Sequence, residues 1–578
     1  MSVHPDNQDD PDNRGNPGNL DDQGLKQIAS FSPRPFPVWN LEVAEGALER
    51  ELFLLHGQGD LIVRYQWQGT SSVTLELRPL LAFRYYHDTG ALSEAELTVR
   101  EVRPGMQEFS ARDMQFCLEA PGFEHDPKKY PPHRYDTETY RGLDDEETLF
   151  SPGFFRMELI PKEDVFLRAS LEPRAKSDFA ALRKQELRRR DSLKVSVLSR
   201  FPGLEPLAQA ADQFLVQRSG KNTVIAGYPW FTDWGRDTMI ALPGLTLARG
   251  RSDLAVELIQ TFAAHLKEGL IPNRFPDEGE TPEYNTVDAT LWFAVAIYQT
   301  WLETEDPGFL DEMLPHLEAV YEHHRRGTLH RIHVDKDGLL FAGEPGVQLT
   351  WMDAKVDDWV VTPRIGKPVE IQALWFNFLQ IMNALSNAQG KPDPKWLEHA
   401  HRVQESFNRF WSEADGYFAD LIDENNDLDR SLRPNQLFAL SLPFPLSNKG
   451  QAQSVLSAVR DHLLTPRGLR SLSPNHKDFE PVYGGDRRTR DAAYHQGTVW
   501  GWLTGPYMGA LLRFGGEEGS REVEALLRDW AEHLREGCLG QGSEVFDATE
   551  PFAPRGCSAQ AWTVAELIRI AREMASRT

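Results

Sequence analysis

The residues best suited to chemistry lie in one run, which reads Gly227-Tyr228-Pro229-Trp230-Phe231-Thr232-Asp233-Trp234-Gly235-Arg236-Asp237-Thr238-Met239-Ile240. The run combines four aromatic side chains, two carboxylates and one guanidinium before it turns apolar. Such a mixture is poor core material, because a buried charge has to be paired and hydrogen-bonded. It suits a site that stacks on a flat polar ring and binds its hydroxyl groups. The alternative is a plain helix start, with Asp233 as N-cap and Arg236 and Asp237 in the first turn.

Two later loops carry carboxyl groups among apolar and aromatic neighbours. Residues 327–367 form a predicted loop far longer than an ordinary connection, which indicates a functional segment. It contains Leu349-Thr350-Trp351-Met352-Asp353-Ala354-Lys355, and the loop at 537–557 contains Gly540-Gln541-Gly542-Ser543-Glu544-Val545-Phe546-Asp547. Apolar surroundings raise a carboxyl pKa, and two opposed carboxyl groups in an aromatic pit are what acid/base hydrolysis of a glycoside requires. The alternative for each carboxylate is a loop cap.

The elements that position these residues follow from the apolar periodicity, which changes along the chain. Residues 1–28 are rich in Asp, Asn, Gly and Pro and are predicted to be a disordered tail. Residues 29–175 alternate with a period of two between Gly and Pro turns, which predicts an antiparallel β-sandwich. The charged segment 176–195 is predicted to be a solvated linker helix. From 196 to 578 the period is 3.6, which is typical of helices.

The helical part holds twelve helix candidates without an interleaved strand pattern, which argues against an α/β barrel. The candidates are centred near 203–219, 236–249, 253–268, 286–303, 307–326, 368–388, 394–412, 433–443, 448–464, 494–514, 519–536 and 558–575.

These candidates alternate in character. Odd-numbered helices are amphipathic and charged, as expected of helices that face solvent. Even-numbered helices begin with dense polar and aromatic groups and continue apolar; examples are Asn285-Thr286-Val287-Asp288 and Tyr494-His495-Gln496-Gly497. A double-layered (α/α)6 toroid explains this alternation, with the even helices inside. The six inner N-termini would then point to one end, and their polar-aromatic groups would surround a single pit.

Composition narrows the choice of partner. A formal net charge of −25 argues against nucleic acid or an anionic membrane surface, whereas a neutral polyol would be indifferent to that charge. The sequence contains fifteen tryptophans, a high number that fits a carbohydrate site as well as a large core. Three cysteines, Cys117, Cys538 and Cys557, form neither a disulfide framework nor a zinc motif. With no apolar leader, the chain is expected to be cytoplasmic.

Other chemistries find little support. The sequence has no phosphate-binding P-loop, nucleophile elbow or H-E-x-x-H motif, so neither metal binding nor a cofactor is expected. His323-His324 lies on a charged outer helix and is expected at the surface. His495 stands among the pit residues, where hydrogen bonding to substrate and structural pairing remain equal alternatives.

Several of these motifs carry a resemblance to a known family. Trp230-Phe231-Thr232-Asp233-Trp234-Gly235-Arg236-Asp237-Thr238, Tyr284-Asn285-Thr286-Val287-Asp288-Ala289, Thr350-Trp351-Met352-Asp353, Tyr494-His495-Gln496-Gly497 and Gln560-Ala561-Trp562 occur in this order. They resemble the glycogen-debranching enzyme family over about residues 200–578, in its amylo-α-1,6-glucosidase domain, which is related to glucoamylase-type (α/α)6 enzymes. Pro37-Val38-Trp39 and Leu77-Arg78-Pro79-Leu80-Leu81-Ala82-Phe83-Arg84 resemble the N-terminal sandwich domain of its bacterial and archaeal members.

The resemblance implies an inverting, exo-acting glucosidase that removes α-1,6-linked glucose from limit dextrin. It implies Asp353 as general acid and Glu544 as general base, with Asp357, Asp358 and Glu370 as rival acids. The partner would be an α-glucan, and the alternatives are another (α/α)6 α-glucosidase or a non-catalytic glucan-binding protein. The residues expected around the substrate are Trp230, Asp233, Trp234, Arg236, Asp237, Asp288, Trp292, Trp351, Lys355, Glu370, His495, Gln496, Trp500, Gln560 and Trp562.

Overall fold

The computed structural model describes residues 27–43, 46–86, 88–90, 92–218, 220–276 and 281–577. The chain divides into two compact units, Met1–Leu193 and Lys194–Thr578. The predicted tail, except for its last two residues, lies outside the described residues. The prediction of a strand-rich part followed by a helical part is confirmed.

Within its described residues, the first unit consists of antiparallel strands and two α-helices. Its elements are β1 (Ile28–Ser32), β2 (Val38–Val43), β3 (Gly46–Leu55), β4 (Asp60–Trp67), β5 (Val73–Leu77), β6 (Thr98–Arg103), β7 (Met106–Ala111), β8 (Met114–Glu119), β9 (Phe123–Lys129), β10 (His133–Arg134), α1 (Asp136–Tyr140), β11 (Glu146–Glu147), β12 (Phe150–Leu159), β13 (Asp164–Ser170) and α2 (Phe179–Ser192).

Two sheets make up most of this unit. The larger has the order β1-β2-β3-β4-β13-β8-β7-β6, and the smaller has the order β5-β12-β9. Phe109 and Leu118 of the larger sheet share one hydrophobic cluster with Phe155 and Met157 of the smaller sheet. The apolar face of each sheet is thus buried against the other, as alternating side chains require.

Helix α2 occupies the segment that was predicted to be a solvated linker. Its half-buried Phe179, Leu182 and Leu187 pack against Phe36 and Phe53 of the sheet region. Three apolar side chains on an otherwise charged helix are enough to attach it to the first unit, so it is not solvated on all sides.

The second unit is mainly helical. Its helices are α3 (Leu207–Gln213), α4 (Gly235–Leu245), α5 (Ser252–Ala263), α6 (Asp288–Thr304), α7 (Pro307–Arg326), α8 (Val369–Ala388), α9 (Lys395–Phe407), α10 (Phe438–Ser441), α11 (Lys449–His462), α12 (Arg487–Ala493), α13 (Thr504–Phe514), α14 (Gly516–His533) and α15 (Ala561–Ala575). Among the described residues, no helix is long and apolar enough to span a bilayer.

Short strands occupy the loops between these helices. They are β14 (Leu215–Arg218), β15 (Lys221–Val224), β16 (Gly227–Tyr228), β17 (His333–Val334), β18 (Leu340–Phe341), β19 (Lys355–Val356), β20 (Trp359–Val360), β21 (Gly366–Pro368), β22 (Trp411–Ser412), β23 (Tyr417–Phe418), β24 (Leu421–Asp423), β25 (Leu428–Asp429), β26 (Leu464–Thr465), β27 (Gly468–Arg470), β28 (Val499–Trp500), β29 (Val545–Phe546), β30 (Pro554–Arg555) and β31 (Ala559–Gln560).

Each of the twelve predicted helical segments contains a helix, but in three of them the helix is much shorter than predicted. The segment 494–514 is helical only from Thr504, because Gly497 has a φ of +144° and Val499–Trp500 pairs with β27 and β29. Segment 203–219 ends as strand β14, and segment 433–443 opens with a 3-10 turn at Pro434–Leu437. Local pairing in the loops overrides the helical pattern at these ends.

The predicted inner helices pack in a closed series. Helix α4 packs on α6, α6 on α8, α8 on α10, α10 on α13, α13 on α15, and α15 packs back on α4. The amphipathic helices pack on this series; α9, for example, packs on α8, and α14 packs on α13. The middle turns of these helices are almost wholly apolar and buried. This burial holds the ends of the helices in fixed positions.

Closure of the series requires a glycine. Gly244 in α4 lies against the backbone of Ala565 in α15, and a Cβ at Gly244 would overlap the Ala565 carbonyl oxygen. Two packed helices cannot separate locally without opening the core around them.

Substituting Gly244→Ala should therefore destabilise the helical unit by about 2–3 kcal/mol, although alanine is the better helix former. Urea denaturation of the full chain measures this change. The control is Gly450→Ala at an exposed position of α11, where the new Cβ would meet only Asn448 Oδ1 at 3.4 Å; stability there should hold or rise. Equal effects of the two substitutions would contradict the close approach.

Candidate active site

The starts of the inner helices gather at one end of the helical unit, as contacts between their side chains demonstrate. Arg236, in the first turn of α4, bonds to Asp288 at the start of α6. The indole N–H of Trp351, in the loop before α8, donates to Asn435 Oδ1 (2.7 Å) just before α10. The groups that the sequence placed at separate helix starts therefore contact one another in space.

Arg236 is a buried hub between three segments. Its Nε donates to both Asp288 carboxylate oxygens (2.8 and 2.9 Å), and its Nη1 donates to Asp353 Oδ2 (2.8 Å). Its Nη2 donates to Thr286 Oγ1 (3.3 Å). Burial alone would lower the pKa of Arg236, but the two carboxylates outweigh it and raise that pKa. One permanent cation thus fixes the loop that carries Asp353 to helices α4 and α6.

Asp353 is fixed yet accessible. Its side chain is 33% exposed, and one of its oxygens is bound by Arg236. Desolvation in the pit raises the pKa of Asp353; Arg236 opposes that rise, and Asp288 adds to it. A carboxyl group with a raised pKa and a path to solvent can exchange a proton with a bound ligand.

Glu544 is held from two sides in a more buried position. Its Oε2 accepts the backbone N–H of Cys557 (2.7 Å), and its Oε1 accepts the hydroxyl of Tyr494. Burial raises the pKa of Glu544 to about 7, although both hydrogen bonds lower it; the charge of Asp353 raises it further. Gly556, with a φ of +62°, permits the close approach, since a Cβ there would overlap Glu544 Oε2.

Asp237 is a third carboxyl group, and it interacts electrostatically with Asp353 and Glu544. Burial raises its pKa to about 7; Arg236 lowers the pKa, whereas Asp353 and Glu544 raise it. Among the described residues, no other side chain hydrogen-bonds to Asp237. Its carboxylate therefore remains available to the hydroxyl groups of a ligand. The three carboxyl groups lie close enough for each to disfavour ionisation of the others.

Aromatic rings surround Trp351. The rings of His495, Trp500 and Trp502 meet it edge-on at centroid distances of 5.3, 5.2 and 5.6 Å, and Trp562 stacks on Trp502 at 4.8 Å. The indole N–H groups of Trp502 and Trp562 are buried without a hydrogen-bond partner among the described residues. Unpaired buried donors of this kind fit a polar pocket that holds water or a ligand.

His495 and Gln560 also have unpaired polar atoms at this end. Both ring nitrogens of His495 and Oε1 of Gln560 are buried and lack a partner within the described ranges. Burial lowers the pKa of His495, so its ring is neutral. Structural pairing was one of two interpretations of His495. No hydrogen bond among the described residues supports it.

An ionic network lies behind the loop of Asp353. Arg364 forms a fork with the carboxylate of Glu370, and its Nε donates to Asp420 Oδ2 (3.0 Å). Asn435 joins Asp420 (2.7 Å) to Trp351. All of these groups are buried. They fix Trp351, and so the segment that presents Asp353.

Several predicted site residues are engaged elsewhere. The carboxylate of Asp233 binds Arg218 and Thr223 on the hairpin β14–β15. Helix α4 begins at Gly235 with Trp234 as N-cap, so the interpretation of Asp233 as N-cap is wrong. The Lys355 ammonium is exposed and donates to Gly346 O, and Gln496 is held by Arg433.

The rival acids occupy different environments from Asp353. The carboxylate of Glu370 is bound in a buried ion pair with Arg364. Asp357 and Asp358, in contrast, are exposed at the turn between β19 and β20. The remaining predicted residues, Trp230, Trp234 and Trp292, are half-buried; Trp292 meets Phe438 edge-on at 5.5 Å.

The groups that hold Glu544 are not among the predicted site residues. Tyr494 lies in the motif Tyr494-His495-Gln496-Gly497, but no contact with Glu544 is predicted for it, and a backbone N–H such as that of Cys557 has no signature in the sequence. The expectation for His324 was also wrong, since it is fully buried and stacks on Trp375 at 5.9 Å. Within the described ranges, no group of three His, Cys, Asp or Glu side chains could hold a metal ion.

The raised pKa of Glu544 implies a pH-dependent cost in stability. A folded-state pKa near 7 exceeds the unfolded value, so Glu544 favours the fold below about pH 4.5 and that contribution is lost as pH rises through 7. Glu544→Gln should thus be more stable than the parent at pH 8, by at most about 3 kcal/mol, and equal to it at pH 4.5. Urea denaturation across this range measures the difference.

The matched control is Glu413→Gln, at an exposed position. It should change stability by less than about 0.5 kcal/mol at every pH. A Glu544→Gln variant that is destabilised at pH 8 would show that the ionised carboxylate supports the fold.

Comparisons with known proteins show which family the chain resembles. Residues 209–569 match the family described as amylo-alpha-1,6-glucosidase, and residues 12–166 match the N-terminal domain of glycogen debranching enzyme. A bacterial glucoamylase complexed with acarbose is structurally similar, with a TM-score of 0.63 and 13% identity; the match covers 93% of this chain and 83% of that chain.

Two curated relatives match part of the sequence. The glycogen debranching enzyme of Saccharomyces cerevisiae is 26% identical over 388 residues, which are 50% of this chain and 25% of that protein. The N,N'-diacetylchitobiose phosphorylase of Vibrio proteolyticus is 22% identical over 275 residues, which are 42% of this chain and 33% of that protein. The matches thus span a quarter to a third of the length of these relatives. Because the amylo-alpha-1,6-glucosidase match alone covers more than half of the sequence, the chain belongs to the glycogen debranching enzyme family of glycoside hydrolases.

Proposed function

We propose that this protein is an inverting, exo-acting α-1,6-glucosidase that removes single glucose units from the branch points of glycogen limit dextrin. Asp353 is the general acid, which protonates the glycosidic oxygen, and Glu544 is the general base, which activates water. The closed helix series is the inner layer of an (α/α)6 toroid, and the paired sheets of the first unit form a β-sandwich. The three free cysteines fit a reducing compartment such as the cytoplasm.

The observation that carries the proposal is the pairing of Asp353 with Glu544. The two carboxyl groups come from loops 191 positions apart, interact electrostatically and have separate supports. Such separate supports fit an inverting mechanism, which needs a gap for water between the acid and the base.

The polar residues around the pair suit the remaining hydroxyl groups of a terminal glucose. The available partners are the carboxylate of Asp237 and the atoms of His495, Gln560 and Trp562 that have no partner in the described part of the chain. Arg236 has a structural role, since its N–H groups donate to Asp288, Asp353 and Thr286. Asp233 is not one of these partners, because Arg218 and Thr223 bind its carboxylate.

Phosphorolysis is the alternative raised by the similarity to a phosphorylase. There, a phosphate anion takes the place of the attacking water and needs no general base. A carboxylate at Glu544 would repel that anion, so hydrolysis is the better fit. Release of free glucose in phosphate buffer, without glucose 1-phosphate, supports hydrolysis.

The proposed acid and base should respond differently to the leaving group. Asp353→Asn and Glu544→Gln should each lower glucose release from limit dextrin by at least about 100-fold, since each removes one proton transfer. With α-glucosyl fluoride, whose leaving group needs no protonation, Asp353→Asn should retain most activity and Glu544→Gln should not. Rates of glucose and fluoride release measure this split.

The control is Glu413→Gln, which should act like the parent on both substrates, since Glu413 is exposed in the turn between β22 and β23, outside the site. Proton NMR of the first product should show β-glucose, the inverted anomer. If both main variants hydrolyse limit dextrin at the parent rate, the assignment is wrong. A parent protein that binds glucan without releasing glucose would favour the glucan-binding protein, and equal rates on linear maltodextrin would favour an α-1,4-glucosidase.

The pH profile should be bell-shaped with an alkaline limb near pH 7. Catalysis needs one proton on the pair of Asp353 and Glu544, and above about 7 the pair loses its last proton. At acid pH, both groups are protonated and the base is lost. The dependence of kcat/KM on pH for limit dextrin tests this; a flat profile from pH 6 to 9 would contradict it.

A further inference from the structure

A short hairpin follows the proposed acid directly. Strands β19 (Lys355–Val356) and β20 (Trp359–Val360) pair antiparallel, and Asp357 has a φ of +52° at the turn between them. The Asp357 side chain is 81% exposed. The hairpin therefore leads from Asp353, at the inner end, into solvent.

A second element is attached to the proposed base. Helix α12 packs on β19 and ends immediately before Tyr494, whose hydroxyl donates to Glu544. Ala354, Val356 and Val361 of the hairpin region form a small apolar cluster with Tyr494. The hairpin and α12 thus form one rim, and each part of it is connected to one of the two carboxyl groups.

Trp359 is the exposed aromatic residue of this rim. Of the tryptophans that the structure describes, it alone is exposed, at 38%. The guanidinium of Arg488, on α12, lies over its ring at 4.8 Å from the centroid. This cation–π contact fixes the orientation of a ring that no core packing requires. An exposed indole with a fixed orientation is suited to ligand stacking, because little freedom is lost on binding.

We propose that Trp359, oriented by Arg488, is a stacking platform for the glucan chain on the leaving-group side of the bond that is cleaved. The inference rests on the proposed function, in which a terminal glucose fills the pit. The acid protonates the leaving oxygen, so the remaining glucan has to lie on the side of Asp353, where the hairpin begins. The C–H face of a glucose unit can stack on the indole, and the guanidinium can donate to adjacent hydroxyl groups.

Comparison of a long and a minimal substrate tests the platform. Trp359→Ala should lower kcat/KM on limit dextrin by about tenfold, through KM, because one aromatic contact is lost. Hydrolysis of α-glucosyl fluoride should stay within about twofold, since fluoride has no chain to stack. Trp359→Phe should restore most of the activity on limit dextrin, because it keeps an aromatic face.

The matched control is Leu302→Ala, which shortens another exposed apolar side chain. Leu302 lies near the end of α6, fourteen residues beyond Asp288 and so about 21 Å along the helix, and both substrates should be unaffected. The platform is overturned if Trp359→Ala lowers both activities equally, or lowers neither. If the parent protein hydrolyses neither substrate, the proposed function itself fails, which is a different outcome.

Discussion

The ion pairs of Arg236 are the interaction on which the rest of the site depends. One guanidinium joins the first turn of α4, the start of α6 and the loop that carries Asp353. Because arginine stays charged at any ordinary pH, the connection does not depend on the protonation of the carboxyl groups around it. Removing one partner would leave a buried charge unpaired, which is strongly destabilising. The closed helix series supplies the rigid frame that makes burial of such a cation tolerable.

The two proposed catalytic groups illustrate how different supports act on similar side chains. Asp353 is held by a cation and reaches solvent, whereas Glu544 is 2% exposed and held by neutral donors. Burial raises both pKa values, so ionised carboxylates in this pit oppose folding. A frame with an extensive apolar core can sustain that cost. Repulsion between the ionised carboxylates also favours their protonated forms, and this leaves protons available for transfer to a substrate.

Chemistry and recognition occupy different depths of the helical unit. The buried groups bind one another, and the atoms of His495, Gln560 and Trp562 that lack partners among the described residues are the proposed contacts of a terminal glucose. The hairpin with Trp359 and helix α12 are exposed at the rim, which is the proposed location of the remaining glucan chain. Each rim element is continuous in sequence with a group that supports catalysis, so binding of a chain could influence the geometry of the pair below it.

The sequence by itself determined the order of strands and helices, because periods of two and 3.6 are local properties of the chain. It also singled out the loops of Asp353 and Glu544, through loop length and spaced motifs. It could not determine the partners of the polar groups. The bond from Tyr494 to Glu544 and the engagement of Asp233 by Arg218 depend on which loops fold beside each other. The burial of His324 depends likewise on the neighbour of its helix. Only the tertiary structure decided these contacts, because hydrogen bonds between distant segments leave no periodic trace in either segment.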